Sequence, residues 1–134
     1  MTDSAYANLI DGIKKSAVTL TGHASDYDHI MDIVGNARYV LIGEATHGSD
    51  EFYRIRADIT KHLIQYGGFS AVAVEGDWPD CYRVNRYVRG DENIHNAASA
   101  LQDFLRFPTW MWRNDVVTEF IDWMREYNAK KLSP

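Results

Sequence analysis

Cysteine is all but missing from this sequence: Cys81 is the single one in 134 residues. That excludes an internal disulfide and a metal site built on paired thiolates, and it fits a reducing compartment. Long apolar runs are missing too, since the longest are a few residues against the roughly 20 needed to cross a bilayer. The first residues carry no basic segment followed by an apolar stretch, so no leader is expected, and the chain reads as soluble and cytoplasmic with no membrane partner. Basic charge is in deficit. With 14 Lys and Arg against 19 Asp and Glu, the net charge is −5, and no concentrated basic face is available for nucleic acid. Neither a Gly-x-Ser-x-Gly elbow nor a phosphate-cradling glycine loop occurs, so a serine-hydrolase mechanism has no support. Internal repeats and low-complexity linkers are absent as well.

What remains is ordinary globular material, 46% hydrophobic and 25% charged, of a size to form a single domain over 1–134 that buries roughly two-thirds of its unfolded surface. Apolar Ala5, Leu9, Ile10, Ile13, Ala17 and Val18 recur at helical spacing over 5–20. A shorter helix is expected over 26–34, stopped by Gly35-Asn36, which completes a helical lead-in of 1–36. The period then changes. Tyr39-Val40-Leu41-Ile42 is a continuous apolar run closed by Gly43, the pattern of a strand buried on both faces. Ser49 is a candidate N-cap, followed by Asp50 and Glu51 and a stripe of Phe52, Ile55, Ile59, Leu63 and Tyr66 that ends at Gly67-Gly68. Ala71-Val72-Ala73-Val74 reads as a second buried strand. Strand, helix and strand over 38–76 form a βαβ unit. A helical remainder over 79–129 follows: helix from Pro79 to Arg89, helix over 93–106, an aromatic loop over 107–113, and a helix capped by Asn114.

The expected fold class is therefore α/β, a parallel βαβ core with flanking amphipathic helices. Two strands are few for a parallel sheet. Together with the polar ending 129–134, this predicts an incomplete piece of a larger, mostly helical α/β domain, with association through an exposed sheet edge or the aromatic loop.

In parallel sheets, ligands bind at the carboxyl ends of the strands. There the sequence places Glu44, His47 three residues later, and Glu75. An imidazole beside carboxylates is held in one tautomer and kept basic, as a general base acting on water requires. The plainer account makes both glutamates solvated and His47 a loop residue, since Glu-x-x-His is common by chance. Arg56 tips the balance toward a site. At about 100° per residue from Phe52 it falls at the edge of the apolar stripe, where a guanidinium needs Glu44 or Glu75 as partner and could hold a substrate oxygen. Its plain alternative is to run along Phe52 to solvent. Trp110 and Trp112 could wall an apolar substrate pocket or simply be core. Arg83, Arg86 and Arg89 read as a solvated face, and His23, His29, His62 and His95 as surface residues.

Three ordered blocks then carry a family resemblance: 41–48 continuing through Glu51-Phe52-Tyr53-Arg54-Ile55-Arg56; 73–80 continuing through 83–90; and 107–114. They resemble the signatures of the erythromycin esterase family, which includes succinoglycan-biosynthesis homologues. The resemblance implies a metal-independent, cofactor-free hydrolase in which a histidine activates water to open a macrolide lactone, an antibiotic-resistance activity. On that basis His47 is the base, Glu44 and Glu75 its orienting or proton-handling partners, and Arg56 a site residue. It also implies much longer members, helical around a central sheet, with a second site histidine from later in the chain. The expected partner is a small-molecule ester or lactone. Two other readings stand beside it: a divalent metal held by Glu44, His47 and Glu75, and an inactive fragment or binding module that uses the loop at Trp110 and Trp112.

Overall fold

Residues 3–106 and 108–132 are described in a computed structural model of the chain. Phe107 of the expected aromatic loop and Ser133-Pro134 of the polar ending lie outside them. The chain divides into two units, Met1–Ala37 and Arg38–Pro134.

In the first unit, α1 (Asp3–Ser16) and α2 (Asp28–Val34) are joined through a 3₁₀ turn at Ala24–Tyr27. The expected helix over 5–20 stops at Ser16. Beyond it, Asp26 gathers the chain: its carboxylate accepts from the Thr21 N–H at 2.6 Å, the Thr21 hydroxyl at 2.8 Å and the Gly22 N–H at 2.8 Å. Such side-chain acceptors compete with helical hydrogen bonding. The same donors, led by the Thr21 hydroxyl, hold the Asp26 carboxyl below its ordinary range. Leu9 and Ile13 of the α1 stripe are each 58% exposed, so the amphipathic pattern is present without burial.

The second unit contains α3 (Asp50–Tyr66), α4 (Trp78–Val88), α5 (Ala97–Ala100) and α6 (Asp115–Leu132). Among the described residues there is no strand. This overturns the α/β class and the parallel βαβ core: 39–42 and 71–74 are irregular, and the sheet edge offered for association does not exist among the described residues. A strand obtains its hydrogen bonds from a neighbour, and an isolated pair is marginal in water. Nor are the runs buried on two faces, since Leu41 is 91% exposed and Val74 49%. A continuous apolar run records a preference for burial and does not supply the layers that would bury it.

The core gathers between α4, α5 and α6, where Tyr87, Ala97, Ala100, Leu101, Phe104 and Ile121 form one buried cluster with Ile94. Ile94, Ala97, Leu101 and Phe104 have the spacing of a helix, which is why 93–106 reads as helical. The chain meets that spacing with four helical residues flanked by turns. A capping box restarts the helix at Asn96, whose side chain accepts from the Ser99 N–H at 2.8 Å while the Ser99 hydroxyl accepts from the Asn96 N–H at 3.3 Å.

α6 is fastened on two sides. Toward α4, the Tyr87 hydroxyl donates to Asp122, and Arg125 donates to the Tyr87 carbonyl at 2.8 Å with its guanidinium 4.5 Å from the centre of the Tyr87 ring. Burial, reinforced by the Asp122 carboxylate, pushes the Tyr87 phenol up to about 12. Toward α3, the Tyr127 hydroxyl donates to the Ile64 carbonyl at 3.3 Å, and the Lys61 ammonium lies 5.9 Å from the Trp123 ring centre. At its start, Asn114 acts as the expected cap, accepting from the Val117 N–H at 2.9 Å. Among the described residues no helix is long and apolar enough to cross a membrane.

Candidate functional site

The stretch 43–49 is a loop that ends where α3 begins. Ser49 occupies the N-cap position with extended backbone, although its side chain makes no capping bond. The loop turns at His47-Gly48, with the Gly48 N–H 3.4 Å from the Thr46 hydroxyl. This turn brings the His47 Nε2 to 3.7 Å from the Glu44 Oε2. The separation suits an ion pair and is too long for a hydrogen bond. His47 is 38% exposed and Glu44 61%, so water reaches both. A carboxylate facing one ring nitrogen biases the orientation of the imidazole, and a neutral imidazole so held can take a proton from a water molecule.

α3 brings two more groups to the same region. Tyr53 and Arg56 are one helical turn apart, so they share a face, and both are half-buried. The Tyr53 hydroxyl is fully buried with no hydrogen-bond partner among the described residues. Burial raises its phenol above the ordinary range, with Arg56 pulling it down and Glu44 pushing it up. Tyr53 therefore lies within electrostatic reach of both charged site residues. The Arg56 guanidinium itself has no hydrogen bond or ion pair among the described residues, while its carbonyl accepts from the Thr60 hydroxyl at 2.7 Å. Solvation along the helix edge, the plain alternative for Arg56, fits its half-burial equally well.

Glu75 is not drawn into this group by any contact. It is exposed, and its carboxylate makes no ion pair or hydrogen bond among the described residues. What is fixed is its neighbour. A Cβ on Gly76 would stand 2.7 Å from the Cys81 Sγ and 3.6 Å from both the Phe104 ring and the Trp112 Nε1, so any side chain there would have to displace the sulfur. Metal ligation by Glu44, His47 and Glu75 does not fit this arrangement, because no group of three or more His, Cys, Asp or Glu among the described residues is placed to hold an ion.

The two tryptophans part company. Trp112 lines a groove of about 720 Å³ bounded by the end of α3, residues 68–74, α4 and α6, and its ring centre lies 6.1 Å from that of Phe104. Its indole N–H is buried without an acceptor among the described residues. Trp110 is 47% exposed and does not line the groove. Cys81 also lines it, and burial, assisted by Asp80 and Asp77, pushes its thiol up. Sequence reasoning missed Tyr53 and Gly76. Tyr53 was legible as a turn-mate of Arg56, whereas nothing in the sequence marked the approach of Gly76 to Cys81.

The profile of the erythromycin esterase family matches residues 64–134, more than half the sequence, and this helical chain with its loop-borne glutamate and histidine belongs to that family. It is similar to erythromycin esterase type II of Escherichia coli, with 26% identity over 103 residues, which cover 77% of this chain and 23% of that protein. The chain thus aligns with under a quarter of that relative's length. No solved structure matches it.

Proposed function

We propose that this chain carries the water-activating pair of an esterase-type hydrolase that opens an ester or a macrolide lactone. The observation that carries the reading is the approach of His47 to Glu44 on a solvent-reached loop, 3.7 Å between Nε2 and Oε2. In the proposed mechanism His47 takes a proton from water, and the resulting hydroxide attacks the acyl carbon. The carbonyl oxygen gains charge, the tetrahedral centre collapses, and the alkoxide leaves with the proton returned by the imidazolium. Glu44 steadies the imidazolium while it carries the proton, and Arg56 is the nearby cation suited to the developing oxyanion. The reading uses no metal and no cofactor, and the single cysteine and acidic balance suit a cytoplasmic setting.

Family membership and the similarity to an erythromycin esterase support hydrolysis of a carboxylic ester as the reaction class. Whether the ester lies within a macrolide ring is part of the proposal. Hydrolysis of a panel of simple esters and macrolide lactones is the test, read by chromatography with and without chelator. The expected result is turnover indifferent to chelator and lowered by about 100-fold or more in His47→Ala. Absence of turnover on the whole panel, or turnover that His47→Ala leaves intact, would falsify the reading.

A further inference from the structure

The Tyr53 hydroxyl and the Trp112 indole N–H are the two buried side-chain polar groups without a hydrogen-bond partner among the described residues, and of the two Tyr53 lies near the candidate site. Leaving such a group unpaired opposes folding, so an unpaired one calls for an explanation. The surroundings narrow the choice. Its neighbouring charges are Arg56, one turn along α3, and Glu44 on the preceding loop. Arg56 only donates, whereas a phenol hydroxyl donates well to a carboxylate. Glu44 directs Oε2 at His47 and is 61% exposed, which leaves its second oxygen uncommitted and the side chain free to rotate. A carboxylate has room for both a histidine and a phenol, and a hydrogen bond formed at the edge of a buried region is stronger than one in open water.

We propose that Tyr53 is a positioning residue of this site, its hydroxyl donating to the free oxygen of Glu44 so that the other oxygen stays against His47. The assignment rests on the reading of Glu44 and His47 as the water-activating pair. It gives the buried hydroxyl a partner, and it accounts for how a loop carboxylate with no other fastening could keep one orientation. Arg56, sharing the face, balances the charge that Glu44 brings.

The test is labelling of histidines by diethyl pyrocarbonate at fixed pH, with the rate at each residue followed by peptide mass spectrometry. It compares the parent chain, Tyr53→Phe, Glu44→Gln and the double variant. With the tyrosine hydroxyl removed, Glu44 swings away and uncovers the His47 Nε2, so His47 reacts about threefold faster, a change of the size a single hydrogen bond gives. His23 and His29 react as before and serve as internal controls. In the Glu44→Gln background, Tyr53→Phe has no further effect. A His47 rate that is unchanged by Tyr53→Phe, or changed equally in both backgrounds, overturns the assignment.

A merely structural tyrosine would move the melt and leave the labelling alone. Loss of the hydrogen bond to Glu44 should also lower the melting temperature of Tyr53→Phe slightly, so the His47 labelling rate, and not the melt, decides the assignment. Should that variant fail to fold, 3-fluorotyrosine incorporated at position 53 keeps the ring and strengthens the donor. It should slow His47 labelling, and an unchanged rate overturns the proposal. Labelling requires no turnover. A chain that hydrolyses nothing therefore overturns the proposed function, while the labelling still decides Tyr53.

Discussion

Gly76 and Cys81 approach so closely that a Cβ on the glycine would stand 2.7 Å from the sulfur. The glycine is needed here for space, since its φ is not positive. Gly76→Ala is expected to destabilise the second unit by about 1–3 kcal/mol, the usual cost of overpacking. Removing the sulfur should relieve much of that, so Gly76→Ala should cost less in a Cys81→Ala background. Denaturant midpoints for the four corners of this cycle check it, and strictly additive effects would count against the contact.

Tyr87 gives the chain an alkaline limit. Its phenol is pushed up to about 12 from an ordinary value of 10.0. Between those values the unfolded chain loses a proton that the folded chain retains, so the stability from Tyr87 is complete below pH 10 and declines as pH rises toward 12. Tyr87→Phe should lower stability near neutrality by about 1 kcal/mol through loss of the Asp122 bond. It should also flatten the decline above pH 10. Thermal melts of both proteins from pH 8 to 11 provide the comparison, and parallel curves would refute the assignment.

Asn114 closes the start of α6 with one oxygen and ties it to the preceding loop with its nitrogen, which donates to the Trp110 carbonyl at 2.9 Å. Asn114→Ala is expected to cost about 1 kcal/mol. Asn114→Asp keeps the capping acceptor and loses the donor, so its cost should fall between the two. Chemical denaturation ranks the three proteins, and an aspartate variant weaker than the alanine one would contradict this account.

The two glutamates should separate in kinetics. Among the described residues Glu44 is the carboxylate that faces His47, so Glu44→Gln is expected to lower kcat by roughly tenfold, less than loss of the base itself. Glu75→Gln should lower it less, since its carboxylate touches neither partner. Steady-state rates on whichever ester is hydrolysed settle the order, and equal losses would place Glu75 in the site after all.

Much of the helical framework was readable because its signals are local. Pro79 and the stops at Gly67-Gly68 and Gly90 bracket α3 and α4, and Asn114 marks the start of α6; each acts within one turn of the chain. The helix expected from Pro79 to Arg89 runs from Trp78 to Val88. The strands failed for the opposite reason. A run such as Tyr39 to Ile42 becomes a strand only when another segment pairs with it, and pairing is not encoded in the run itself. In the site, the Glu44 and His47 contact follows from a three-residue spacing across a turn and so was legible. The placement of Glu75, the burial of the Tyr53 hydroxyl and the split between Trp110 and Trp112 depend on how distant segments pack, which spacing does not encode.

Exposure of the two apolar runs has a consequence for solution behaviour. Tyr39 and Leu41 are 80% and 91% exposed, so their side chains remain almost wholly hydrated after folding. Leu41→Ser should therefore leave the unfolding free energy nearly unchanged, because little apolar area is withdrawn from water at that position. Its effect should be colloidal. Surface Tyr39 and Leu41, like Val72 and Val74, raise the tendency of chains to stick together as concentration increases. A serine at 41 is expected to extend the concentration range over which light scattering reports dispersed chains, without moving the melt.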